Sequence, residues 1–173
     1  MGDSSTGESR RRLEPTTPLQ RKIQRRTDVA VLASNFPSRL AEIEDHDAVT
    51  HRSSKRWKAA KLGVEAHNRL PVYYRSDGEI THTGYISELL LDPKENDDRA
   101  EAFLDRITDD DTYGDFNDML DTTTYLVTGG TRLDEPFPQT ALRKLSDGEP
   151  VDENFSRHPA YVIQRPEDFP EFP

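Results

Sequence analysis

The stretch "VYYRSDGEITHTGYI" (residues 72–86) predicts two strands joined by a tight turn at Asp77-Gly78. Asp-Gly between alternating apolar residues indicates a hairpin, because glycine accepts the positive φ that such a turn requires. We therefore expect residues 72–75 and 80–90 to pair antiparallel. The first strand carries Tyr73, Tyr74 and Arg75. Aromatic and arginine side chains of this kind stack on nucleic-acid bases, and they also fill ordinary cores.

The segments on either side of the hairpin predict a mixture of short strands and short helices. Strands do not alternate regularly with helices, as a parallel sheet would require. The sequence therefore favours an α+β fold, a small mixed β-barrel of five to seven strands with short surrounding helices. Predicted strands are "DVAVLAS", "TTTYLVTGG" and "AYVIQR"; predicted helices are "PSRLAEIEDH", "SSKRWKAAKLGV" (capped by Ser53 or Ser54 and ended by Gly63), "ENDDRAEAFLDRI" and "QTALRKL".

Composition predicts a cytoplasmic protein adapted to high salt. Of 33 acidic residues 19 are Asp, and the basic residues are 17 Arg and only 6 Lys, a bias that keeps water and counter-ions at the surface. There is no apolar run long enough for a membrane span and no apolar leader at the N-terminus. The absence of cysteine excludes a disulfide framework, a thiol nucleophile and a thiolate metal site.

The positive charge is concentrated in the first third of the chain. Residues 1–62 contain 13 basic and 8 acidic residues, a balance of +5, whereas residues 63–173 contain 10 basic and 25 acidic, a balance of −15. Residues 1–27 are polar and basic with no sustained apolar period, so we expect a disordered basic tail. Residues 28–173 are expected to form a single domain. The net charge of −10 does not exclude nucleic acid as a partner, because local basic patches determine that binding.

Three motifs resemble cofactor or metal sites but lack essential parts. "YLVTGGTRL" (125–133) is followed by acidic and proline residues where a dinucleotide-binding turn needs a third glycine and a helix, so we expect a Gly-Gly turn beside Arg132. "DDDTYGDFNDML" (109–120) has Leu120 where a calcium loop needs a bidentate Glu. The five histidines have no zinc-site spacing. We expect no cofactor and no metal.

A basic segment containing Trp57 lies just upstream of the hairpin. Lys55, Arg56 and Lys58 surround the indole, and this order suggests a helix and a strand lining one cleft. The alternative is that Trp57 packs in the core while the basic residues coat a solvated face.

These residues resemble the PUA-like superfamily, most closely its EVE branch, with the ASCH and YTH branches as relatives. The resemblance rests on Trp57, then "LPVYYRS" (70–76) and "ITHTGYISELL" (80–90), and later on "PFPQTALRKL" (136–145) and "AYVIQR" (160–165). The chain has "SNFPSR" where EVE domains carry a Lys-Ser-Glu-Pro-like segment. The resemblance implies a compact barrel whose groove binds nucleic acid, in some members a flipped or modified base held by aromatics.

The resulting hypothesis is a non-catalytic module that binds RNA or DNA, including a modified or unpaired base. The expected ligand-binding residues are Trp57, Tyr74, Arg75, Ser76, Arg56, Lys58 and Arg132. One alternative is an ASCH-like enzyme acting on RNA or a modified nucleoside, with Lys55 or Lys58 next to Glu79. The lack of a recognisable catalytic set favours the binding module over the enzyme. Another alternative is a structural or partner-binding protein. No membrane partner is expected, and the sequence leaves the oligomeric state open.

Overall fold

The computed structural model describes residues 13–94, 98–99, 103 and 120–170. Within them, three helices and seven strands form a mixed α+β fold, which confirms the predicted fold class. The helices are α1 (Pro18–Arg25), α2 (Pro37–Asp45) and α3 (Lys58–His67). The strands are β1 (Val29–Ser34), β2 (Ala48–Ser53), β3 (Leu70–Ser76), β4 (Glu79–Leu91), β5 (Thr123–Pro138), β6 (Arg143–Lys144) and β7 (Ala160–Ile163).

All seven strands belong to one sheet with the order β2-β5-β4-β3-β1-β7-β6. The predicted hairpin is confirmed: β3 and β4 pair antiparallel from Leu70↔Ile86 to Ser76↔Glu79, and Asp77 and Gly78 in the turn both have positive φ. Only the β1–β3 pair is parallel among the described strand pairs. The described pairings do not join β2 to β6, so the sheet is not closed into a barrel.

The centre of the sheet is buried on both faces. In β1, Val29, Val31 and Ala33 belong to one apolar cluster, whereas Ala30 and Leu32 belong to a second. Neighbouring residues of a strand point to opposite faces of the sheet, so the valine-rich run predicted as a buried strand is buried on both faces. The same division separates Tyr73 from Tyr74 in β3.

Helix α2 forms as predicted, with Leu40 and Ile43 buried. The helix predicted over residues 53–64 is shifted at both ends, since α3 begins at Lys58, after Trp57 at its N-cap, and continues to His67. Strand β2, which the sequence did not predict, ends at Ser53, where this helix was expected to begin. Gly63 lies inside α3, where an added Cβ would meet Ile23 and Leu70, so this glycine permits a close helix contact rather than ending the helix.

Two further predictions were wrong in part. Residues 129–130 do not form a turn, because β5 runs through them to Pro138 with register shifts against β4. Residues 139–141 form one turn of 3-10 helix, and the next residues pair with β7.

The predicted disorder of residues 1–27 does not hold over Pro18–Arg25, which forms α1. Thr17 caps this helix, Ile23 is fully buried, and Lys22 donates to the carbonyl oxygens of Leu145 and Ser146. A single buried isoleucine on an otherwise basic segment gave no apolar period in the sequence. Residues 1–12 lie outside the described residues, as does nearly all of the predicted helix at 95–107 and of the acidic stretch 109–120.

Candidate nucleic-acid interface

The first cleft is a surface depression of about 480 Å³ at the ends of β1 and β2 and the beginning of α2. Its described lining residues are Asn35, Phe36, Arg39, Arg52, Ser53, Ser54 and Asp121. Phe36 is 75% exposed, and it is the large apolar side chain that the described part of the chain leaves in solvent. Its ring therefore stands beside two arginines at the mouth of a cleft.

Arg39 connects α2 and β2, the helix and one of the strands that line the first cleft. Arg39 forms an ion pair of 3.1 Å with Glu42 and donates to the carbonyl oxygen of Thr50, which ties α2 to β2. The side-chain oxygen of Asn35 accepts from the backbone N–H of Phe36 at 2.9 Å. The positive end of the α2 dipole thus lies at the cleft, where it favours an anionic ligand.

The edge of the first cleft is basic. Arg52, near the end of β2, is exposed. The loop between β2 and α3 runs from Ser54 to Trp57, and its residues Lys55 and Arg56 are exposed as well. Arg56 pairs with Asp92 at 3.1 Å, and both side chains are about half exposed, so solvent screens the pair. Lys58, at the start of α3, donates to the hydroxyl of Thr16.

Trp57 and Tyr74 lie in the core and have no exposed ring face. The ring centroids of Trp57 and Tyr125 are 4.6 Å apart, and the edge of His158 meets the indole at 5.5 Å. The backbone N–H of Trp57 donates to Thr123. The sequence favoured direct contact of these two aromatics with a base over packing in the core; the structure places them in a buried cluster with His51 and Tyr125, and neither lines the first cleft.

This cluster contains polar atoms without hydrogen-bond partners. They are the Thr50 hydroxyl oxygen, His51 Nε2 and Trp57 Nε1, and none has a partner among the described residues. Burial, followed by the charge of Arg39, lowers the pKa of His51 from 6.5 to about 3, so its ring is neutral at physiological pH. Burial also lowers the pKa of His158, to about 4.

Arg75 and Ser76 lie apart from Trp57, in a second cleft of about 540 Å³. The Arg75 residue is 5% exposed, and its guanidinium donates to the Ser34 hydroxyl, the Gln139 side chain and the carbonyl oxygens of Phe155 and Arg157. Burial lowers the pKa of this guanidinium. The two clefts share Asn35.

The remaining predicted residues do not come together. Arg132 is exposed on β5, opposite His82, and does not line either cleft. No ion pair of the described residues joins Glu79 to Lys55 or Lys58, the pair that an ASCH-like enzyme would use. The described residues contain no group of three or more metal-ligating side chains and no helix long and apolar enough to cross a membrane.

Sequence reasoning missed Asn35, Phe36, Arg39 and Arg52. The available signal was an aromatic residue outside the apolar pattern of its neighbours. Phe36 precedes Pro37 and does not belong to the apolar face of α2, which Leu40 and Ile43 form. An aromatic residue that no core period explains is a candidate for contact with a ligand.

No protein-family model matches this chain, and the search of curated proteins finds no match. Among solved structures, the chain is similar to the N-terminal domain of Staphylothermus marinus McrB. The identity is 14%, the TM-score is 0.38, and the similarity covers 82% of this chain and 91% of that chain.

Proposed function

We propose that this chain is a PUA-like, EVE-type, non-catalytic module that binds single-stranded nucleic acid and seats one unpaired or modified base in the first cleft. The observation that carries the proposal is the exposed ring of Phe36 at a cleft lined by Arg39 and Arg52. Aromatic rings stack on bases, while arginines contact phosphates and base edges.

The lining of the first cleft supports a base rather than a bare phosphate as the occupant. A phosphate offers acceptors alone, whereas a base edge offers donors and acceptors together. The carboxylate of Asp121, which lines the cleft, repels a phosphate and accepts hydrogen bonds from the amino groups of a base. We propose that Trp57, Tyr74 and the residues around them stabilise the fold that positions the cleft, and that this open sheet is the incompletely closed form of the barrel that the resemblance implies.

The adaptation to high salt that the composition predicts also bears on the proposal. At high salt the release of counter-ions contributes little to affinity, so stacking and hydrogen bonds must supply most of it. We expect the module to retain measurable binding in molar potassium chloride. The exposed basic residues Arg52 and Lys55 would then contribute mainly at low salt.

The test compares three proteins: the wild type, Phe36→Leu and Phe36→Trp. Leucine keeps an apolar side chain but cannot stack, whereas tryptophan keeps the stacking ring. Binding to single-stranded DNA and RNA decamers, with cytosine or 5-methylcytosine at the centre, is measured by fluorescence anisotropy in molar potassium chloride.

We expect Phe36→Leu to lose about 1–3 kcal/mol of binding and Phe36→Trp to keep the wild-type affinity. The melting temperature of all three should agree, because the ring is exposed. A Phe36→Leu protein that binds as tightly as the wild type would refute the assignment of this cleft. A preference for the methylated strand would assign the module to modified bases, and equal binding would assign it to unpaired bases.

A further inference from the structure

The second cleft lies directly beside the first and is built at the ends of two neighbouring parallel strands. Ser34 ends β1 and pairs in register with Arg75 near the end of β3. Ser34, Asn35, Arg75 and Ser76 all line the second cleft, and Asn35 lines both. A single-stranded nucleic acid that leaves the first cleft past Asn35 would therefore enter the second cleft.

The far wall of the second cleft is an irregular segment, residues 152–157, which the buried side chain of Gln139 holds in place. Gln139 is 1% exposed, and its side-chain NH2 group lies 2.9–3.1 Å from the carbonyl oxygens of Asp152, Glu153 and Phe155, which share its two hydrogens. Its side-chain oxygen accepts from Arg75. One buried amide thus holds three backbone carbonyls, so the wall has a defined shape without regular secondary structure.

Arg75 completes this support from the sheet side. Its guanidinium donates to a hydroxyl, an amide oxygen and two carbonyl oxygens. It therefore connects the sheet residue Ser34 with the wall carbonyls of Phe155 and Arg157. Phe155 is half-buried, with its ring 5.6 Å from the Arg75 guanidinium. We treat Arg75 and Gln139 as positioning residues, because their donors are used in holding the wall.

The side chains left for a ligand are those on the outer side of this wall and on the hairpin turn. Asn154 and Ser156 are exposed on either side of the half-buried Phe155. Asp77 and Glu153, which are also exposed, add two carboxylates to the lining. Carboxylates repel a phosphate and accept hydrogen bonds from hydroxyl and amino groups. The chemistry fits the sugar or the base edge of a nucleotide and not its phosphate.

We propose that the second cleft binds the nucleotide next to the one in the first cleft, through hydrogen-bond donors of its sugar or base. The minimal ligand of this protein is then a dinucleotide. This inference rests on the proposed function of the first cleft, and it adds a separate recognition site with its own residues, Asn154 and Ser156.

The experiment measures how affinity depends on ligand length. Adenosine monophosphate and adenylate oligomers of two, three and five nucleotides, each in ribo and deoxy form, compete with a labelled pentanucleotide for the full chain. The proteins are the wild type, the double variant Asn154→Ala/Ser156→Ala, and Ser146→Ala, an exposed serine away from both clefts, as the matched control.

For the wild type and Ser146→Ala we expect the dinucleotide to bind about tenfold more tightly than the mononucleotide, and longer oligomers to add much less. In the double variant the ratio of the two affinities should fall below about threefold. A larger ratio for the ribo series assigns the contact to the sugar hydroxyl, and equal ratios assign it to the base amino group; both support the inference.

Two results would overturn the inference, and they can be told apart. If mono- and dinucleotide bind the wild type equally, or if the double variant keeps the wild-type ratio, the second cleft is not a nucleotide site, while the function of the first cleft stands. If no adenylate or pentanucleotide binds at all, both the inference and the proposed function fail.

Discussion

The hydroxyl of Tyr74 lies 2.7 Å from Nδ1 of His51, in the fully buried centre of the molecule. The same hydroxyl lies 3.3 Å from the hydroxyl of Tyr125. The other ring nitrogen of His51, Nε2, has no hydrogen-bond partner among the described residues. The pair links β2 to β3, which are not neighbours in the sheet because β5 and β4 lie between them.

The first prediction concerns acid stability. Burial lowers the pKa of His51 to about 3 in the folded protein, against 6.5 as its ordinary value. Between these values the unfolded chain binds a proton that the folded protein does not, so stability falls as the pH falls below about 6.5. At pH 5 the loss from His51 amounts to about 2 kcal/mol. Urea unfolding at pH 7 and pH 5 measures it.

Two variants test the cause of this pH dependence. His51→Phe should reduce the difference between pH 7 and pH 5 by about 2 kcal/mol, whatever its stability at pH 7, and should keep the part contributed by His158, whose pKa is also lowered. Tyr74→Phe keeps the ring that buries His51 and removes its hydrogen bond, so it should keep the pH dependence. A His51→Phe protein with the full wild-type difference would show that another group causes the acid sensitivity.

The second prediction concerns Trp57. Because the side chain is fully buried against Tyr125 and His158, Trp57→Ala should lower the free energy of unfolding by about 3–5 kcal/mol. Trp57→Phe should cost less, since it leaves a smaller cavity and removes an indole N–H that has no partner among the described residues. Chemical denaturation of both variants provides the comparison. A Trp57→Ala protein as stable as the wild type would contradict the buried position.

The third prediction concerns Gln139. Gln139→Ala removes the hydrogen bonds of this amide to Arg75 and to the wall carbonyls. The carbonyl oxygens of Asp152 and Phe155 keep a second donor, whereas that of Glu153 is left without one among the described residues, at a cost of about 1–3 kcal/mol. We expect amide hydrogen exchange to increase most in residues 152–157. Gln164→Ala is the matched control, because its side chain makes one exposed hydrogen bond, to Thr27. Equal exchange of this segment in the two variants would argue against its support by Gln139.

The fourth prediction concerns Gly130, which lets α2 pack directly on β5. A Cβ at this position would overlap Cγ2 of Ile43. Gly130→Ala should therefore destabilise the protein by about 1–3 kcal/mol, and much of this loss should disappear when Ile43→Ala is the background. The thermal unfolding of the two single variants and the double variant measures the coupling. Additive effects would mean that the helix does not lie on this glycine.

The fifth prediction concerns the basic edge of the first cleft. Lys55→Gln should reduce the slope of log affinity against log salt by about one unit for single-stranded DNA, if Lys55 neutralises one phosphate. Arg132→Gln, on β5 away from the cleft, is the control and should keep the wild-type slope. The titration runs from low to molar potassium chloride. Equal slopes for wild type and Lys55→Gln would remove this lysine from the interface.

The sequence by itself determined those elements whose signals are local. The Asp77-Gly78 turn and its two strands, the buried run of β1, the apolar face of α2 and the last strand β7 all form as predicted. A turn residue acts on its own backbone, and alternation or helical spacing is read within a few residues. Such signals need no knowledge of what packs against them.

Only the tertiary structure decided which aromatic and basic side chains face solvent. In β3, Tyr73 and Tyr74 are both buried because each face of the sheet is covered, one by helices and the other by the chain after β5. When a strand has apolar residues on both faces, its sequence lacks the alternation of polar and apolar residues that would show which face is exposed to solvent. The residues proposed to contact a ligand, Phe36 and Asn154, lie outside the regular apolar periods of the chain, and only the folded chain brings their segments to the two neighbouring clefts.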